Sequence, residues 1–108
     1  MSQSPVVVNI TDNVSDQLVF STQGETAGVA VMIGSDESIG GGTMSLGVLP
    51  QGADASTNAI AYIDATLDAA HNQYYQIGKG MAVYVKLTGA TTPDVDVIVS
   101  PVPAGSAP

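Results

Sequence analysis

Along most of this chain apolar and polar side chains alternate with a period of two, which is the pattern of a strand with one face buried. Ala27 to Ile33 sets Val29, Val31 and Ile33 on one side and Gly28, Ala30 and Met32 on the other. Thr43 to Leu49 alternates through Met44, Leu46 and Val48 and stops at Pro50. After Gly78-Lys79-Gly80, read as a turn entering a strand, Met81, Val83, Val85 and Leu87 alternate with Ala82, Tyr84, Lys86 and Thr88. Asp94 to Val99 places Val95, Val97 and Val99 inward with Asp94 and Asp96 solvated. Across the turn of Gly89 to Pro93, these last two segments are expected to form an antiparallel pair. Two shorter runs, Pro5 to Ile10 and Gln17 to Ser21, are β-branched or apolar enough for strands.

Residues 58 to 71 carry two patterns at once. Ile60, Ile63, Leu67 and Ala70 match helical spacing behind Asn58 as a cap, so one short helix near 58–70 is one reading. Ile60 and Tyr62 alternate as in a strand, and the β character of the flanking segments favours short strands at Ala59–Ile63 and Ala65–Leu67. Turn residues punctuate the rest, from Asp12-Asn13 through Gly40-Gly41-Gly42 to Gln51–Thr57. About seven or eight short strands with such turns predict an all-β fold, an antiparallel β-sandwich of Ig-like or jelly-roll-like type. With 108 residues the chain suits one domain spanning 1–108, with a flexible N-terminal arm (1–9) and a C-terminal tail (101–108) rich in Pro, Ala, Gly and Ser.

Charge then narrows the partners. Ten carboxylates face only Lys79 and Lys86, a formal net charge of −8. Nucleic acid is excluded as a partner, because phosphate binding requires several Lys or Arg to release counterions. An anionic membrane surface is excluded for the same reason. The chain has no cysteine, hence no disulfide, thiolate or cysteine-ligated metal chemistry. Met1 to Pro5 lacks a basic leader, and no stretch reaches the roughly 20 apolar residues of a membrane helix, so synthesis in a cytoplasm is expected.

Candidate chemistry is sparse. His71 stands among Ala69, Ala70, Asn72 and Gln73 without a nucleophile in its motif and reads as a surface or loop histidine. Ser45 misses the spacing of a nucleophile elbow by one residue, and Gly78-Lys79-Gly80 lacks the remainder of a phosphate loop. Carboxylates come in pairs at Asp12/Asp16, Asp36/Glu37, Asp64/Asp68 and Asp94/Asp96, yet none has the ligand density of a calcium loop. Asp64/Asp68 is the pair a hydrolase would use. The expectation is no catalytic, cofactor or metal residue and no enzyme activity. Tyr74-Tyr75 is the one aromatic cluster, and on a strand one of the two points to the core or an interface.

The run Gly41-Gly42-Thr43-Met44-Ser45-Leu46-Gly47-Val48-Leu49-Pro50, followed later by Tyr84-Val85-Lys86-Leu87-Thr88-Gly89-Ala90-Thr91-Thr92-Pro93-Asp94-Val95, resembles small β-sandwich proteins of tailed-phage virions, the head decoration or cement proteins. The likeness spans roughly residues 27 to 99. It departs where many of those proteins carry D-G-G-x-x-W, since Gln51-Gly52-Ala53-Asp54 stands there instead. The resemblance implies a non-catalytic subunit on the outer surface of a bacteriophage capsid, made in the host cytoplasm, with the major capsid protein and itself, as a homotrimer, for partners. Partner contacts are expected at Pro5, Val6, Val7 and Val8, whose extended run can add to a neighbour's sheet edge, and at Tyr74 and Tyr75. The alternative expectation is a receptor- or glycan-binding module of a head fibre or tail, using Tyr62, Tyr74, Tyr75 or Tyr84.

Overall fold

In a computed structural model that describes residues 5–21, 26–54, 57–77 and 80–103, the period-two segments become strands. The described residues form β1 (Val6–Ile10), β2 (Val14–Ser21), β3 (Thr26–Ile33), β4 (Thr43–Pro50), β5 (Ala61–Leu67), β6 (Asn72–Gln76), β7 (Met81–Thr88) and β8 (Val95–Pro103). They make two four-stranded antiparallel sheets, a first of order β1-β8-β3-β6 and a second of order β2-β7-β4-β5.

The pairing has a simple logic. β1 pairs with β8, β2 with β7, β3 with β6 and β4 with β5, so the chain is one long hairpin closed at the 51–60 connection. Wrapping that hairpin brings β3 against β8 and β4 against β7, which completes each sheet. This strand order is the jelly roll. It is not Ig-like, because the first two strands of an Ig domain lie side by side, whereas β1 and β2 lie in different sheets.

The inward faces form one core. The first sheet contributes a uniform valine layer, Val29 and Val31 from β3 with Val95, Val97 and Val99 from β8, all fully buried. Against it the second sheet sets its longer side chains, Met44, Leu46, Leu67 and Leu87, together with Val83 and Val85. The molecule measures 39 × 33 × 19 Å, the short dimension being two layers about 10 Å apart plus their outer side chains.

At 58–70 the strand reading holds and the helical alternative falls, and three further points need correction. Residues 58–70 contain no helix: β5 runs through them, because β4 offers a ladder to Ala61–Leu67. Of the helically spaced set only Leu67 reaches the core, and Ile63 is 43% exposed, so a helical stripe would have had nothing to face. A strand at Asn72–Gln76, which periodicity did not single out, supplies an edge of the first sheet. β7 and β8 do not pair with each other, since the 89–94 connection crosses between sheets. Residues 6–9, read as arm, are paired to β8, and residues 101–103, read as tail, continue β8 along β3. Arm residues 1–4, tail residues 104–108, and Gly78 with Lys79 lie outside the described residues.

Candidate functional site

The expected contact residues fall on the first sheet but do not converge. Pro5 to Val8 enter and form β1, and Tyr74 and Tyr75 lie on β6, at the opposite edge. Alternation separates each group further. Val7 points outward and is 60% exposed, while Val8 packs against the core. Tyr74 stands on the outer face, 42% exposed, over Gly28, where a β-carbon would collide with its ring. Tyr75 turns inward and is buried, which withdraws it from the set of exposed contacts.

Tyr75 instead belongs to a polar clasp. Its hydroxyl donates a short hydrogen bond to Asp64 Oδ2 on β5, and Thr66 donates to the other carboxylate oxygen through its hydroxyl at 2.5 Å and its amide at 2.9 Å. With its proton committed, the Tyr75 oxygen accepts from His71 Nε2 at 2.8 Å, which places a hydrogen on that nitrogen. The two rings stack, with centroids 6.2 Å apart. Hydrogen bonds from Thr66 and then Tyr75 hold the Asp64 carboxyl below its ordinary value against the opposing pull of burial. Burial, reinforced by Asp64, pushes the Tyr75 phenol up, so it keeps its proton and is a poor nucleophile. Because β5 belongs to one sheet and β6 to the other, the clasp fastens one open side of the sandwich. His71 is therefore a structural partner, and Asp64 does not form a pair with Asp68, whose carboxylate accepts from the Ala69 amide in its own turn at 2.7 Å.

On the outer face of the second sheet a strap runs from edge to edge. Tyr62 of β5 lies over Gly47, where a β-carbon would meet its ring and Ile60, and its hydroxyl donates to Asp16 of β2 at 2.6 Å. The bond to Asp16 pushes the Tyr62 phenol up to about 12. Lys86 Nζ sits 5.2 Å from the ring centroid, within cation–π range. Glycine at 47 leaves room for this close passage, since a larger residue would push the Ile60 and Tyr62 side chains aside.

The first sheet has no comparable cover among its described residues. The register aligns Val7, Ile98 and Met32 in one outward row and Ser100, Ala30 and Tyr74 in the next, with Val102 opposite Gly28 in the row beyond. Ile98, Met32, Ala30 and Val102 are half-buried. Charge on this face is confined to one corner, where Asn9 Nδ2 donates to Asp96 at 2.9 Å and to Asp94 at 3.2 Å. Negative charge collects instead at the loops of that end, on Asp12, Asp36, Glu37, Asp68 and Asp94, and no group of three or more described residues is arranged to hold a metal ion.

The edges differ in the same sense. β1 and β6 pair with their neighbours without a register shift and carry no charged residue. β2 and β5 are interrupted by register shifts and carry Asp16 and Asp64. Bulges and charges are the usual devices that stop a sheet from growing, and of the four edge strands only β2 and β5 have them.

Comparison with protein-family models, with curated proteins and with solved structures gave no match to this chain. Sequence reasoning missed the clasp and the strap, in which Tyr75 meets Asp64 from 11 positions away and Tyr62 meets Asp16 from 46, each across two strands. Only the wrap of the hairpin brings them together. The contrast between edges had a legible half, the uncharged run Val6-Val7-Val8-Asn9-Ile10 against Asp16 and Asp64.

Proposed function

We propose that the protein is a structural virion subunit, a capsid decoration protein that docks on the outer surface of an assembled phage head, braces the major capsid protein, and performs no reaction. The observation that carries this reading is the outer face of the first sheet, where Val7, Ile98, Met32, Ala30 and Tyr74 form an apolar strip and the carboxylates among the described residues keep to one corner, on a chain of net charge −8. Exposed apolar area of this kind marks a protein contact, and the absence of repelling charge leaves it free to meet another surface. A jelly roll alone assigns no role, because viral capsid, lectin and cupin domains share it. The resemblance of residues 27 to 99 to head decoration proteins supports the virion among these. Co-sedimentation of the purified protein with assembled, expanded heads tests the proposal. Saturable binding that raises the temperature of capsid disruption, and that is lost on Met32→Asp, is expected. Heads that neither bind the protein nor gain stability would sink it.

Tyr74 favours a second reading. Its exposed ring on the outer face of the sheet, with Asn72 and Gln76 pointing to the same side, is a stacking platform flanked by amides, suited to a sugar. Saturable binding on a glycan array, abolished by Tyr74→Ala, would replace capsid docking with a receptor- or glycan-binding role.

A further inference from the structure

We infer that the two edges of the first sheet bind each other between copies, β6 of one copy adding to β1 of the next, so that the protein assembles head to tail into a closed ring. Unblunted edges are templates for strand addition, and among its described residues each copy presents two. A second copy is the partner that satisfies both, whereas symmetric β1-to-β1 pairing leaves β6 open.

Four features fit this occupant. Both strands are five residues long. All neighbours in the order β1-β8-β3-β6 are antiparallel, so β1 and β6 run in opposite directions. Rotation about an axis along the strands therefore delivers β1 of the next copy antiparallel to β6, and the sheet continues without a change of pattern. Both strands are uncharged, so copies of net charge −8 can approach there at less electrostatic cost than at the acidic loops or the edges bearing Asp16 and Asp64. Finally, the most exposed large apolar side chains of the two strands, Val7 and Tyr74, both stand on the outer face. A stagger of an even number of residues sets them side by side as an aromatic and β-branched pair. Such a stagger is also what closure requires of a curved sheet. The trimer expected from the sequence is one such ring.

The test is sedimentation velocity with light scattering on the full chain, without capsids. Wild type is expected as a single closed oligomer. Val7→Lys and Tyr74→Lys, at exposed positions, are each expected to be monomeric with an unchanged far-ultraviolet circular dichroism spectrum. Mixed in equal amounts they should form a one-to-one heterodimer, since one retains a good β6 and the other a good β1. Hydrogen exchange on wild type gives a readout that needs no variant: amides of β1 and β6, but not of β2 and β5, should gain protection with concentration. A monomeric wild type, a Tyr74→Lys protein that still dimerises, or protection that ignores concentration overturns the inference. Assembly in solution by a protein that leaves heads undecorated would keep this inference and reject the proposed function.

Discussion

The two sheets of this sandwich share a core and differ at everything outside it. The second sheet is finished: register shifts and carboxylates interrupt its edges, and Tyr62 straps β5 to β2 across its outer face. The first sheet keeps regular, uncharged edges, with a valine layer inside and an apolar row outside. A protein with eight strands could blunt all four edges. It blunts two, and the two left regular and uncharged, β1 and β6, both belong to the first sheet.

Substitutions can break or sharpen this contrast. The largest loss is expected in the core, where the sheets are equivalent: Leu46→Ala should cost about 2–5 kcal/mol, read from urea unfolding, and a smaller loss would mean that the valine layer opposite collapses onto the cavity. Gly28→Ala and Gly47→Ala then distinguish the outer faces. At Gly28 the new methyl meets the backbone carbonyl of Tyr75, which cannot turn aside, so destabilisation should lie toward the top of about 1–3 kcal/mol. At Gly47 it meets the side chains of Ile60 and Tyr62, which can shift, so the loss should be smaller; the reverse order of melting temperatures would contradict the strap.

The clasp between the sheets makes a pH prediction. Asp64 titrates below its ordinary value of 3.8 in the fold, so its stabilisation is complete above that value and is lost as pH falls through the lower folded one. Tyr75 titrates above 10.0, so its contribution is complete below 10.0 and is lost as pH rises beyond it. Tyr75→Phe should cost about 1 kcal/mol near neutrality and flatten both limbs of the melting temperature plotted against pH. The smallest effect belongs to the strap: Asp16→Asn should change stability by less than about 1 kcal/mol, as for other exposed polar pairs. Phenolate absorbance should nevertheless show Tyr62 ionising nearer 10.0 than about 12.

Much of this was legible in the chain. Period two marked β3, β4, β7 and β8 and named their inward residues, because the face of a strand is a local property of sequence. Residues 58–71 were ambiguous for the opposite reason. Their spacing fits helix or strand, and the ladder of β4 decides between them.

By itself, then, the sequence determined that β3, β4, β7 and β8 are strands, which of their side chains line the core, and that β1 would carry no charge. Tertiary structure alone decided which strands became edges, that β7 and β8 part into different sheets, and that Asp64, His71 and Tyr75 meet. Alternation records which face of a strand is buried and says nothing about which strand lies beside it. Partners such as Val6 and Val99 are chosen by the wrap of the whole hairpin, where burying every apolar face at once admits few arrangements.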